Sequence, residues 1–229
     1  MPLSGTAFLA LWNDHAKMHG EYDYWHTREH VGERLGIPGI LSSRRYADGE
    51  GSLPRYFTLY GLDSIAVLES APYTHLLNNP TPWSLTMRPG MRNFLRRGCT
   101  VAESYGAGIA GYAAISLFRA GPQARGGAAI ADLAPCSAFT AAHLGFVDNS
   151  VSRVPFSVAE APATDDRDAI IVLECYEPRS MKPAALDVGR TLHASGVCAS
   201  PPEFTFYRLS FVLEQQHRHQ MLPYTRATA

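Results

Sequence analysis

The sequence predicts an α+β protein built from two tandem β-α-β-β-α-β units, with their sheets facing each other to close an α+β barrel. Three observations predict it. The residues up to about 105 read in that element order, the order returns more loosely afterwards, and no long polar linker parts the two stretches. One such unit is a split βαβ, the ferredoxin-like arrangement, which carries helices on one face of its sheet only. The bare apolar face must be buried, and the sheet of the other unit is the natural cover.

Residues 6–12 (TAFLALW) form a short apolar run stopped by Asn13 and Asp14, and read as a buried strand. Residues 21–37 (EYDYWHTREHVGERLGI) carry helix formers and charges at helical spacing, with Gly36 and Pro38-Gly39 as the stop. Residues 40–46 and 55–62 (RYFTLYGL) flank the Gly-rich connector ADGEGSLP and read as a hairpin. Asp63-Ser64 stands at the cap position of a second helix, 65–77, which ends at Asn78-Asn79-Pro80. A Pro-fixed loop holding Trp83, a short helical piece at 91–96 and a strand at 99–105 complete the first unit.

In the second unit, 111–118 (GYAAISLF) is a strand, 126–133 a short weak helix and 139–147 (FTAAHLGFV) a strand. The clearest strand of the chain is 169–176 (AIIVLECY). A helix over 181–191 tolerates Pro183, and the alternating run 203–213 (EFTFYRLSFVL) closes the unit. GLDS and CYEP each leave a strand and enter a helix, which aligns the two units as an internal repeat. The Gly-rich stretch 106–111 is the seam. The division therefore falls at 1–108, which carries the candidate site, and 109–229, a degenerate copy. A doubly wound α/β sheet is the alternative, and the hairpin at 40–62 argues against it.

Composition narrows the function. Lys+Arg 20 against Asp+Glu 21 gives a net charge of −1, and no basic stripe or tail appears. A nucleic-acid groove therefore has no electrostatic support. Charged residues make up 18% of the chain, below the usual quarter or so, which suits a homodimer. Cys99, Cys136, Cys175 and Cys198 are scattered without a C-x-x-C pair, as expected of free thiols in a reducing compartment. The N-terminus lacks a basic signal-peptide start, and no apolar run reaches membrane-spanning length. A cytoplasmic protein without a membrane partner is the expectation.

The chemistry concentrates on the first helix. His15, His19, His26 and His30 fall close together, and His26 and His30 are i,i+4 neighbours. At about 100° per residue, Tyr22, His26, Glu29, His30 and Glu33 share one polar arc. Tyr24, Arg28, Val31 and Leu35 fall opposite, with Trp25 flanking. The arc reads as a solvated face, as a proton-transfer site, or as a two-histidine metal site. Histidine titrates nearest neutrality, so an imidazole poised by Glu29 or Glu33 can act as base or acid, with Tyr22 as a phenolic donor. The metal reading lacks a third ligand in frame, and a haem ligated by one histidine is a further option. No nucleophile elbow or P-loop is present. G-x-G-x-x-G at 106–111 precedes a strand, whereas a dinucleotide site needs a helix there.

The run 25–35 (WHTREHVGERL), with Ile37-Pro38-Gly39 after it, resembles the W-Y-x-x-E-H-x-P-E-R-L-x-x-P-G signature of a dimeric α/β-barrel family. So do Ser43-Arg44-Arg45-Tyr46, Pro54-Arg55-Tyr56 with Leu59-Tyr60, Ala66-Val67-Leu68-Glu69-Ser70, and Pro80-x-Pro82-Trp83 over residues 5–105. The family is mostly uncharacterised. It is related in fold to EthD-like, muconolactone-isomerase-like and antibiotic-biosynthesis-monooxygenase-like proteins. The resemblance implies ferredoxin-like units and a ligand pocket inside the barrel or between sheet and helices. It favours His30, at the E-H position, over His26, which stands where the signature has Tyr.

The expected function is a cofactor-independent enzyme of aromatic catabolism. It would be a lyase, decarboxylase or isomerase acting on a small apolar carbonyl or phenolic compound. His30 would be the base or acid, Glu29 its orienter and His26 a second proton carrier. Trp25, Trp83 and Tyr60 would wall the substrate, Tyr22 would donate to it, and Arg45 would hold a carboxylate. The alternatives are a cofactor-free oxygenase and a non-catalytic protein that binds a hydrophobic ligand or haem. No cofactor and no metal are expected.

Overall fold

A computed structural model of the chain describes residues 3–16, 19–124, 130, 138–151 and 168–221. Its strands are β1 (Ala7–His15), β2 (Ile40–Glu50), β3 (Tyr56–Leu62), β4 (Met91–Gly106), β5 (Tyr112–Phe118), β6 (Phe139–Val147), β7 (Ala169–Cys175) and β8 (Thr205–Glu214). They close in the order β1-β3-β2-β8-β5-β7-β6-β4. The first four strands run β4-β1-β3-β2 and the last four β8-β5-β7-β6, the same order in each half. β3 and β7 hold equivalent places. Two antiparallel seams join the halves, β2 to β8 and β4 to β6, and the repeat exchanges one for the other. The protein is an α+β barrel of two facing ferredoxin-like sheets.

Strict alternation along the strands sorts the side chains into layers. On β1, Phe8, Ala10 and Trp12 point into the barrel, where they meet Phe57, Ile115, Ile170, Val172 and Tyr207. Ala7 and Leu9 point outward to Val31, Leu35, Tyr60 and Leu62. On β7, Ile171 and Leu173 face outward to Met181, Ala185, Val188 and Leu192. These last belong to α5 (Pro178–Ala194), the longest described helix. Pro183 sits inside it and sacrifices one backbone bond, a loss outweighed by this buried stripe.

Several elements depart from the sequence reading. The first helix is three pieces: α1 (His19–Trp25), a π-helical turn His26–His30, and α2 (Val31–Leu35). The Val31 N–H reaches back five residues to the His26 carbonyl. A wider turn retards the phase by about one residue. Val31, Arg34 and Leu35 therefore face the sheet together with Tyr22, Trp25 and His26, and all six are buried. Tyr24 and Arg28, expected on the sheet side, are exposed instead. The solvated-face reading fails at Tyr22, Trp25 and His26.

The helix expected over 65–77 breaks at Ser70 into a 3-10 turn, Ile65–Glu69, and α3 (Ala71–Asn78). Ser70 caps α3 by accepting from the Tyr73 N–H, and Pro72 fits its first turn, where no N–H bond is required. Trp83 stands in α4 (Pro82–Met87), not in a loop, because Thr81 caps that helix through the Ser84 N–H. The short helix expected at 91–96 is the start of β4, paired with β1 through Leu95 opposite Trp12. Non-local pairing and a buried Leu95 override the local pattern. Gly39, in the Pro-Gly turn after α2, has φ +89, and a Cβ there would lie 2.5 Å from Val67 Cγ2. Only glycine suits that turn. The weak helix expected at 126–133 and Cys136 lie outside the described residues. Cys99, Cys175 and Cys198 are buried and take part in no disulfide among the described residues. Among the described residues no helix is long and apolar enough to cross a membrane.

Candidate active site

A slot opens on the outer face of the first half's sheet, beneath the three-piece helix and against α3. Leu11 and Asn13 of β1 form part of its floor, and Trp25, His26, His30 and Arg34 form one wall. It encloses about 520 Å³ counted to its mouth and is narrow between its walls. Met91, Phe94 and Arg96 of β4 also line it, although residues 91 and 94 have opposite parity on a regular strand. A bulge resolves this: between Trp12↔Leu95 and Asp14↔Arg92, two β4 residues oppose the single Asn13. Asn93 takes φ 51 there, and its side-chain amide donates to Asp14 Oδ2 at 2.6 Å. The bulge turns Met91 toward the same side as Phe94.

A chain of hydrogen bonds assigns the tautomer of His26. Asn13 Nδ2 donates to the Asp14 carbonyl at 3.1 Å, which leaves Asn13 Oδ1 to accept from Tyr22 Oη at 2.7 Å. The Tyr22 oxygen must then accept at its other contact, 3.0 Å from His26 Nδ1. His26 thus carries its proton on Nδ1 and a bare lone pair on Nε2. That Nε2 is buried and has no hydrogen-bond partner. Burial first, and the guanidinium of Arg45 second, hold the ring well below the usual histidine range. His26 is a neutral imidazole presenting an acceptor.

His30 presents the opposite function. Its Nε2 accepts from Arg34 Nε at 3.4 Å, so its proton sits on Nδ1. That Nδ1 lies 3.7 Å from Glu33 Oε2, beyond hydrogen-bond range, and is buried without a hydrogen-bond partner. Burial, then Arg34 and Arg88, keep this ring neutral too. The two rings meet edge to face at 5.0 Å.

The remaining residues singled out from the sequence stand around this pair. Trp25 lies on the slot, its ring 4.6 Å from that of His30. Glu29 does not reach His30; its Oε1 accepts from Trp25 Nε1 at 3.2 Å and Thr81 Oγ1 at 2.6 Å. It fixes the indole. The carboxylate nearer His30 is Glu33, whose pKa is raised, chiefly by burial. Tyr22 sits behind His26, with its phenol pushed upward by burial. Arg45 is held beneath the helix by Asp23 Oδ1 at 2.8 Å and by Thr27. Tyr60 packs in the layer under α2, and Trp83 Nε1 donates to Glu21 Oε1 at 3.3 Å. Neither Arg45, Tyr60, Tyr22 nor Trp83 lines the slot. Asn13, Arg34, Arg88 and Arg96 were not singled out from the sequence. Arg34 had a signal, four residues after His30 on one helix, but its inward turn depends on the π-helical phase. Among the described residues no three His, Cys, Asp or Glu side chains could hold a metal ion.

The architecture is that of ferredoxin-like α+β barrel proteins, and comparisons with solved structures agree. An anthrone oxidase-like protein superposes with TM-score 0.62 at 14% identity, covering 95% of this chain and 97% of the other. A proposed monooxygenase from Fusobacterium nucleatum gives TM-score 0.56 at 9% identity, covering 92% and 95%. A haem-binding protein from Thermus thermophilus gives 0.51 at 10% identity, covering 96% of each chain. At these identities the likeness is one of fold. No family model matches the sequence, and no curated protein does. The relation to dimeric α/β-barrel proteins thus rests on structure, and the neighbours described are not isomerases of the EthD or muconolactone type.

Haem does not fit the slot. The His26 Nε2 lone pair is a competent axial donor, but the rings of Trp25 and His30 stand 5.5 and 5.0 Å from that of His26. These two rings crowd the approach to that nitrogen and leave no face as broad as a tetrapyrrole beside it.

Proposed function

We propose that the chain is a cofactor-independent oxygenase acting on a flat, largely apolar compound with an acidic C–H beside a carbonyl or phenol, of the anthrone kind. The observation that carries this is the bare, buried Nε2 of His26 on a narrow slot. His26 Nε2 takes the substrate proton, and His30 Nδ1–H, facing the opposite way in hydrogen-bond character, donates to the developing oxyanion. The carbanion gives an electron to dioxygen, and the pair recombine as a hydroperoxide anion. Reprotonation and loss of water leave a ketone, so that CH₂ and O₂ become C=O and H₂O. Trp25, fixed by Glu29, supports one side of the ring, and Tyr22 positions His26. Residues 1–108 carry this site and 109–229 complete the barrel. The protein is proposed to be a cytoplasmic homodimer whose partner is a small molecule.

Anthrone and dioxygen test this. Oxygen uptake with appearance of anthraquinone should exceed the buffer rate, and His26→Gln should lower turnover by roughly 10²–10⁴-fold with the fold intact. Tyr22→Phe should be milder, since it loosens the base without removing it. Full activity in His26→Gln would overturn the assignment. So would a Soret band at one haem per chain after haem addition.

A further inference from the structure

The lining of the slot is positively charged in a way that proton transfer does not require. Arg34, Arg88 and Arg96 line it, and the lining side chains include no Asp or Glu. Glu33 stands just behind, facing His30, while Arg45, the other guanidinium near the histidines, is engaged by Asp23. Arg34 is only 5% exposed. Its Nε is used on His30, and its carbon lies 5.3 Å from the centre of the Tyr73 ring. Its Nη1 is buried with no hydrogen-bond partner. A guanidinium N–H withdrawn from water without an acceptor is costly. Glu33 offsets part of the charge of Arg34 and Arg88 from behind the wall, but it does not line the slot and gives Arg34 Nη1 no hydrogen bond. Burial first, and the neighbouring Arg34 second, lower the pKa of Arg88, with Glu33 opposing them.

We infer that the slot takes its substrate as an anion: an aromatic ring bearing a carboxylate, with the carboxylate on Arg34 Nη1 and flanked by Arg88. This rests on the slot being the substrate site and names the class of substrate it selects. Planar guanidinium matches a carboxylate better than ammonium does. The aromatic ring then lies toward Trp25 and His26. His30 Nδ1–H, between Arg34 and His26 in the wall, faces the middle of the molecule.

Calorimetric titration with 1-naphthoate and with its uncharged counterpart 1-naphthalenemethanol separates the ideas. Naphthoate should bind roughly 10- to 100-fold more tightly at low salt, the worth of a charge-assisted contact, with the gap shrinking as salt rises. Arg34→Met should close the gap to within about threefold, with the loss falling mainly on naphthoate, and Arg34→Lys should restore part of the gap. Arg88→Met, away from the helix core, is the second variant should Arg34→Met unfold, and it should narrow the gap less. Equal binding of both probes to the unmodified protein, or a gap unchanged in both Met variants, would overturn the anion site and leave the aromatic slot standing. Binding of neither probe would overturn both.

Discussion

His26 and His30, together with His143 on β6, are neutral in the folded protein because burial denies them water. His143 is pushed down to about 3, and its Nδ1 lies 2.7 Å from Ser104 Oγ. An unfolded histidine takes a proton near pH 6.5. Folded values below that mean stability is fully present above about pH 6.5 and is lost as pH falls toward the folded values. Glu33 acts in the opposite sense: its raised pKa helps the folded state at low pH, and that help fades as pH rises through the folded value. Urea unfolding over a pH series should therefore show stability falling on the acid side, by up to about 1.4 kcal/mol per pH unit for each histidine. His26→Gln should flatten that fall. A midpoint constant from pH 7 to 5 would contradict the neutral assignments. The spacing of His26 and His30 was legible in the sequence. Which nitrogen each ring offers was not, because that depends on Asn13 and Arg34, contacts set by folding.

Two irregular elements build the site. The π-helical turn sets the phase of Arg34, and the β4 bulge at Asn93 brings Met91 and Phe94 to one side. The helix was visible as a pattern, but its extra residue was not, since a single retained insertion barely disturbs local periodicity; the start of β4, bulge included, read as a helix because its pairing with β1 is non-local. Each insertion survives because the residues beyond it still meet their partners: Val31 and Leu35 their core layer, Leu95 its place opposite Trp12. The bulge is directly testable. Asn93 holds φ 51, a region that β-branched residues avoid. Asn93→Val should cost about 1–3 kcal/mol of stability and weaken 1-naphthoate binding, while Asn93→Gly should cost less. Denaturation and titration read the two effects separately. Equal stability of the Val and Gly variants would count against a positive-φ bulge.

The two halves share one interior. Phe8, Trp12 and Phe57 from the first pack with Ile115, Ile170 and Tyr207 from the second. Arg44 of β2 is paired with Glu174 of β7, both buried. Glu174 also accepts from Tyr46 Oη at 3.2 Å and the Ala110 N–H at 2.8 Å. Removing one member strands the other in the barrel, so Glu174→Ala should cost about 3–5 kcal/mol. Because that loss touches both halves, unfolding should stay a single transition by fluorescence and circular dichroism alike. Two separated transitions would mean that the halves are independent.

By itself, the sequence determined the α+β class, the paired units, and the segment on which the candidate site residues crowd. Apolar alternation, Pro-Gly stops and the crowding of histidines are local properties, written residue by residue. The start of β4, the inward turn of Arg34 and which ring nitrogen each of the two histidines leaves without a hydrogen bond were decided only by tertiary structure. Each depends on a partner far along the chain: Leu95 on Trp12, Arg34 on the sheet that α2 covers, His26 on Asn13 through Tyr22. Barrel closure fixes those meetings, and no local periodicity encodes which residues will meet.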